Sequence, residues 1–467
     1  MAAACDPRPR GLNDVLEART PGPRGAHVLE HAELTAGPKH ATHLGEPAQH
    51  GVERPAAERQ RLRARNDERY ARRPTARPPD RLRGWIQGIC SIPRMTCLRC
   101  YISNMAKHEY TVGVIGLGFG RSHIPAFQAN GCRVVAVSQR NRGQAQAIAD
   151  KYGVTSVYER WEDLLEKARP EIVVIATPPH LHKSIALAAF AQGAHVLCEK
   201  PVALNAADAR EMVDAAARAK CTAMTGFNWR SPAAFQRFHA MVEEGFLGRL
   251  LHVQVRYMFG RFADEKVAST WRMDKSQAGQ GTMGDAGVHA IDFVRWNFGE
   301  IVRVAAQTSI YPSRTMPDGT TPADAEDICQ FIAELASGAQ VSFAVSRVAR
   351  GANEQTMEAY GTAGALRYSL PRDVPRWWRG QLHATTGPNG AFAPVVVKAA
   401  VPRTAGEGEL PDVVGRTTIG PLVKRFLAGI RKKESPSPSL EDGWRAQLVL
   451  DAILRSASTR TWQDVSP

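Results

Sequence analysis

Lys200, Asp285 and His289 are the side chains whose type and setting suit proton chemistry. Lys200 stands in Glu199-Lys200-Pro201, at the end of an apolar run beginning at His195. A lysine at the carboxyl end of a buried strand can hold a hydroxyl and lower its pKa, with Glu199 pinning the ammonium. The alternative is a surface lysine at a strand end. Asp285 and His289 lie four residues apart within Gly279–Asp292, on one face of an expected helix. An acid beside an imidazole fixes its tautomer, which makes His289 a candidate general base and Asp285 its orienting partner. The alternative is an ordinary surface pair at helical spacing. Gly279, Gly281, Gly284 and Gly287 favour the site reading, because they let a backbone or a ligand come close.

A second kind of chemistry is written between Tyr110 and His123. The apolar run Val112, Val114, Ile115 enters Gly116-Leu-Gly118-Phe119-Gly120 and then a helix-compatible segment. A strand that empties into such a turn presents backbone N–H groups to a dinucleotide pyrophosphate. Gly116 makes the tight turn, and Gly118 with Phe119 and Gly120 forms the phosphate approach. Arg121 occupies the sixth position of the fingerprint, where glycine or alanine is usual. After the second strand the chain reads Ser138-Gln139-Arg140, with no carboxylate for ribose hydroxyls. Ser138 and Arg140 suit a 2′-phosphate, so NADP is favoured over NAD.

These residues need elements to hold them. Strands are expected at 110–115, 133–138, 154–158, 171–177, 195–199 and 222–227, with helices between them. Glu171–Thr177 is nearly continuous in β-branched residues, as in a strand buried on both faces. Asn141 with Gln144 reads as a capping box, and Asn205 as the cap of a helix to Lys220. This alternation implies an α/β fold, a doubly wound parallel sheet over 105–227. Beyond 227 the rhythm changes to helices at 232–245 and 281–298 and strands at 250–259, 302–310, 328–335, 340–348 and 356–360. That predicts a second α/β domain, 228–467, with an open, mostly antiparallel sheet and a closing helix at 444–456. Residues 371–420, rich in Pro and Gly, read as an extended excursion; they and Arg256–Arg272 are where specificity is expected.

Residues 1–104 hold 18 of the 60 Lys and Arg and 11 of the 46 Asp and Glu, giving half of the net charge of +14. The segment lacks a persistent apolar period and reads as a disordered extension, with Met105 as the natural start. Its arginines are interleaved with acids and lack an aromatic platform, which argues against a nucleic-acid partner. No apolar run reaches the ~18 residues of a membrane span. Cys132, Cys198 and Cys221 sit in apolar runs and read as buried thiols of a reducing compartment, the cytoplasm. Cys97 and Cys100 stand alone, without the ligands a metal needs, and no metal is expected.

From about Lys107 onward the chain resembles the Gfo/Idh/MocA family of glucose–fructose oxidoreductase, inositol dehydrogenase and rhizopine-catabolism proteins. The resemblance rests on Gly116–Gly120, Ala176-Thr177-Pro178-Pro179 with His182, Glu199-Lys200-Pro201, Gly226-Phe227-Asn228 with Arg230, Gly279–Asp292 and Tyr360-Gly361-Thr362. It implies a Rossmann domain, a bound NAD(P), and a second domain whose open sheet forms a homodimer or homotetramer. It assigns hydride exchange at a sugar or cyclitol hydroxyl to Lys200, Asp285 and His289. It places Thr177, Pro178, His182 and Glu199 with Lys200 beside the cofactor, and Asn228 and Arg230 in the substrate cleft. A nucleotide-bound sensor without turnover is the alternative on the same fold.

Overall fold

The computed structural model describes residues 110–311, 314–398 and 406–466. The expectations for 1–104, Met105, Cys97 and Cys100 lie outside the described residues.

The first half alternates as its pattern requires. β1 (Thr111–Ile115), α1 (His123–Ala129), β2 (Arg133–Ser138), α2 (Arg142–Tyr152), β3 (Ser156–Tyr158) and β4 (Ile172–Ile175) lead into α3 (His182–Ala191). β5 (His195–Cys198), α4 (Ala206–Ala219) and β6 (Ala223–Thr225) complete the unit. The six strands run parallel in the order β3-β2-β1-β4-β5-β6. β4 occupies a central place because all four of its residues are apolar and buried. Asn141 accepts from Gln144 N at the start of α2, and Asn205 accepts from Asp208 N at the start of α4. Strand order reverses between β1 and β4, and the carboxyl ends there form the crevice where such sheets bind ligands. This is a Rossmann-like domain.

The second half contains α5 (Ala233–Glu243), β7 (Leu250–Phe259), α6 (Val288–Phe298), β8 (Ile301–Ser309), β9 (Ile328–Leu335), β10 (Gln340–Ser346) and β11 (Asn353–Gly361). There follow β12 (Ala365–Pro371), β13 (Gln381–Thr385), β14 (Ala393–Pro394), α7 (Gly420–Lys432), α8 (Leu440–Thr459) and β15 (Gln463–Asp464). The sheet order is β14-β13-β12-β11-β7-β10-β9-β8-β15. Only β7 and β10 pair in parallel among these neighbours. Alternate residues such as Val253, Val255, Phe331, Phe343 and Met357 face inward onto Phe235, Phe293 and Ile453 of the helices. Burial of each such side chain contributes about 1.5–3 kcal/mol.

Two features depart from the sequence reading. The expected excursion at 371–420 contributes β13 and β14 to the sheet, where Leu382 alone of β13 is buried. So short and half-exposed a strand lacks the alternation that announces one. Residues 410–432, grouped by sequence with the second domain, join the core of the first sheet through Val414, Ile419, Leu422, Phe426 and Leu427. The apolar stripe of α7 lies at helical spacing, but a stripe does not name the surface it covers.

Among the described residues no helix is long and apolar enough to cross a membrane; Cys132 is buried, and Cys198, Cys221 and Cys329 are buried free thiols.

Candidate active site

The glycine turn sits where β1 meets β4. Gly116 has φ +86°, and a Cβ there would lie 2.5 Å from the Ala176 carbonyl oxygen, so glycine is required twice over. A Cβ on Gly118 would meet no atom within 4 Å, which leaves an open approach to the backbone. Gly120 packs against Ala176 Cβ and Val114, 2.9 and 3.3 Å from where its own Cβ would be. It therefore performs the close helix–strand packing of the third glycine of the fingerprint, and Arg121 is left exposed. Phe119 is half-exposed, edge-on to His123 at 6.1 Å. Ser138 is buried at the end of β2, its carbonyl accepting from Gly116 N at 2.9 Å. Arg140 is exposed beyond it, and Gln139 bonds Gln144 at 3.0 Å.

Lys200 ends the segment after β5. Its Nζ donates to the main-chain oxygen of Asp285 at 2.7 Å and lies 3.8 Å from Asp285 Oδ1. Burial pushes the ammonium below its ordinary pKa, against the pull of Asp285 and Glu199 and with the push of Arg272 and Arg372. Glu199 does not pin it, as sequence suggested. The Glu199 carboxylate instead pairs with His123 Nε2 at 2.8 Å, both side chains being buried. That pair ties the turn after β1 to the strand end that carries Lys200. His123 had no motif to mark it.

Asp285 lies in a π-turn, Met283–Gly287, that runs into α6. Burial raises its carboxyl, but Arg272, Lys200, Arg347 and Arg261 outweigh it and hold the carboxyl below the usual value. Arg272 Nε is 3.6 Å from Asp285 Oδ1, and its guanidinium stacks over Trp271 at 4.3 Å. His289 is 1 % exposed, edge-on to Phe227 at 5.9 Å and Trp229 at 6.1 Å. Burial first, then Lys200 and Arg372, drives its pKa well below 6.5, so the ring is neutral near pH 7. Its Nδ1 is buried without a partner. The expected tautomer-fixing bond from Asp285 is thus not made: the carboxylate faces Lys200 and Arg272 instead, because two cations attract it more than a neutral ring does.

The glycines before Asp285 accommodate protein. A Cβ on Gly281 would lie 2.0 Å from the Glu326 main-chain oxygen, and Gly279, at φ +76°, abuts Leu204. The buried Glu326 carboxylate accepts from Gly281 N at 2.8 Å and Met283 N at 3.1 Å, fixing the start of the turn. Sequence reasoning missed Glu326, which belongs to no motif.

Thr177 and Pro178 follow β4 at the switch point, and Thr177 Oγ1 is buried without a partner. His182, expected beside the cofactor, is engaged by the main chain. It is 1 % exposed, with Nε2 2.9 Å from the Thr177 oxygen and Nδ1 3.0 Å from the Pro201 oxygen. Burial holds its pKa down, so the neutral ring carries one N–H and donates to one of these carbonyls. Its role is to join the loop after β4 to Pro201. Asn228 and Arg230, expected at the substrate cleft, are both buried and bonded within the protein. Asn228 Nδ2 donates to Thr418 Oγ1 at 2.9 Å. Arg230 grips Asp292 with two nitrogens and Ser437 with a third, its side chain 2 % exposed. A buried guanidinium finds a carboxylate before it finds a ligand.

The missed residues nearest the reacting groups are Arg272, Arg372, Trp229 and Tyr257. Arg272 and Arg372 lie in the two stretches expected to hold specificity, but nothing in their spacing singles them out.

A family model described as "Oxidoreductase family, NAD-binding Rossmann fold" matches residues 110–227, and one described as "GFO/IDH/MocA C-terminal domain" matches 235–367. The chain is 31% identical over 389 residues to levoglucosan dehydrogenase of Pseudarthrobacter phenanthrenivorans, covering 76% of this chain and 97% of that one. Similarity to inositol 2-dehydrogenase of Rhizobium meliloti is 26% over 352 residues, covering 74% and 97% of the respective chains. A solved levoglucosan dehydrogenase in complex with NADH aligns with a TM-score of 0.69 at 30% identity, covering 76% of this chain and 99% of that one.

Proposed function

Because the chain belongs to the Gfo/Idh/MocA oxidoreductase family, we propose that it exchanges hydride between a nicotinamide dinucleotide and a hydroxyl-bearing carbon of a sugar, cyclitol or sugar derivative. The observation that carries this reading is Lys200 fixed on Asp285 while its charge reaches a neutral, buried His289. A sensor has no use for such an arrangement.

The residues present fit the cofactor. Gly118 leaves open space at the turn, and Thr177 Oγ1 is an orphaned buried acceptor and donor at the switch point. Gly116, Gly118, Phe119 and Gly120 would hold the pyrophosphate, and Thr177 and Pro178 would border the nicotinamide. When bound, NAD(P) would supply the hydride acceptor for oxidation of the substrate carbon and the hydride donor for reduction. The chain handles the proton. Lys200 offers its remaining N–H donors to the substrate oxygen and favours its loss of a proton. Asp285 keeps Lys200 in place through its main-chain oxygen and its charge. A neutral His289 ring accepts the hydroxyl proton as the carbonyl forms. Ser138-Gln139-Arg140 carries no carboxylate, which supports NADP over NAD; the solved relative named above holds NADH.

In this reading residues 105–227 carry the cofactor and 228–467 the substrate wall, with 410–432 bracing the first sheet. The outward face of the nine-stranded sheet, where Ile332 is exposed, would form a homodimer or homotetramer. The buried thiols suit the cytoplasm.

The test is titration of the protein with NADP and NAD, followed by absorbance at 340 nm against sugars, inositols and sugar acids. A substrate-dependent rise supports the dehydrogenase. Nucleotide binding without turnover on that panel supports the sensor. Absence of nucleotide binding removes both.

A further inference from the structure

Trp229 and Tyr257 each touch two groups. The His289 ring lies 6.1 Å from Trp229 and 6.4 Å from Tyr257. The Arg372 guanidinium lies 4.6 Å from the Trp229 ring and 5.1 Å from the Tyr257 ring, and it donates to the Tyr257 hydroxyl. Arg372 therefore stands one aromatic layer from His289. Its main chain is fixed just past β12, where its N–H donates to Asn353 O at 3.0 Å.

The neighbouring guanidinium groups are matched by acids. Arg230 faces Asp292, Arg347 faces Asp327 at 2.6 Å, and Arg272 faces Asp285 at 3.6 Å. Arg372 differs: among the described residues no carboxylate lies within ion-pair distance of it, and its Nε is buried without a partner. A cation held against two aromatic faces, with a donor aimed away from water and no counter-ion, is a site for an anion. Its charge reaches both reacting groups, since Arg372 depresses the pKa of Lys200 and of His289. An anion bound to Arg372 would relieve that depression and raise the basicity of His289.

We propose that Arg372 binds an anionic substituent of the substrate, a carboxylate or a phosphate, so that the preferred substrates are sugar acids or sugar phosphates over neutral sugars. This rests on the dehydrogenase reading for its chemistry, but the binding claim stands on the geometry of Arg372. A purely structural arginine would tie β12 to the aromatic layer and show no preference for charge.

The experiment compares D-glucose, D-glucuronate and D-glucose 6-phosphate with the nucleotide-loaded protein. Binding is read by tryptophan fluorescence, since Trp229 lies under Arg372, and turnover at 340 nm. The expected result is that one anionic ligand binds at least roughly tenfold more tightly than D-glucose; glucuronate and the phosphate separate the two anion sources. Arg372→Gln should lower kcat/KM or affinity for that anion roughly 10–100-fold more than for D-glucose, with Arg372→Lys recovering part of it. Equal or better binding of D-glucose by the wild type overturns the proposal and leaves the dehydrogenase standing. Failure of all three to be turned over, with anion-selective binding, would count against the dehydrogenase reading alone. An equal loss for charged and neutral ligands in both variants marks Arg372 as structural and overturns the proposal.

Discussion

Lys200 Nζ donates to the main-chain oxygen of Asp285 at 2.7 Å, a bond that spans 85 residues and joins the two domains. The lysine comes from the carboxyl end of the parallel sheet, and the carbonyl from the turn that opens α6. The ammonium is thereby held against the turn that carries Asp285. Lys200→Met should keep the fold and nucleotide binding while lowering kcat by roughly 10²–10⁴-fold. Stopped-flow absorbance at 340 nm together with nucleotide titration checks this; an unchanged kcat would remove Lys200 from the chemistry.

His289→Ala should cost roughly 10²–10⁴ in turnover if the ring accepts the proton. Stability gives a separate readout. The folded pKa of His289 lies below its unfolded value of 6.5, so the unfolded chain binds the extra proton as pH falls. Its contribution to stability is complete above 6.5 and declines as pH drops through that value toward the folded pKa. His182 has the same sign. Urea unfolding between about pH 7.5 and about pH 5.5 should show falling stability in the wild type and a shallower fall in His289→Gln. Equal slopes would show that the His289 ring is not held neutral.

The turn glycines separate folding from binding. Gly116→Ala forces a Cβ into the Ala176 carbonyl at positive φ and should lower stability by about 1–3 kcal/mol. Gly118→Ala meets no protein atom and should melt close to the wild type, while nucleotide affinity falls by roughly tenfold or more. Calorimetry of both variants decides it; unchanged affinity in Gly118→Ala would move the phosphate elsewhere.

Arg230→Ala should act on stability. Removing it strands the buried Asp292 carboxylate, a loss of about 3–5 kcal/mol. Denaturant unfolding should show this loss. A rise in KM at unchanged stability would return Arg230 to the substrate cleft.

Arg140→Ala should raise the KM for NADP and leave that for NAD nearly untouched, because an exposed guanidinium after β2 serves the 2′-phosphate alone. Steady-state kinetics with both nucleotides measures the ratio, and equal changes would remove the phosphate role.

The sequence by itself determined what depends on neighbours in the chain. The alternation of strand and helix and the caps at Asn141 and Asn205 arise from contacts a few residues long, while the apolar run of β4 and the positive φ at Gly116 are legible from residue type. Local sterics and periodicity encode these directly. Lys200, Asp285 and His289 were legible as groups with chemistry, though only their resemblance to a known pattern joined them. Tertiary structure decided the partners. Glu199 stands close to His123 and Lys200, and Asp285 to Lys200 and Arg272; which partner each takes depends on distances set by the packing of two sheets and on how much water each group loses. The same holds for α7, whose apolar stripe could cover either sheet, and for Arg372, left without an acid by a fold that pairs Arg230, Arg272 and Arg347. Charge and apolar surface are carried by residue type, but their balance is settled only where the chain brings distant residues together.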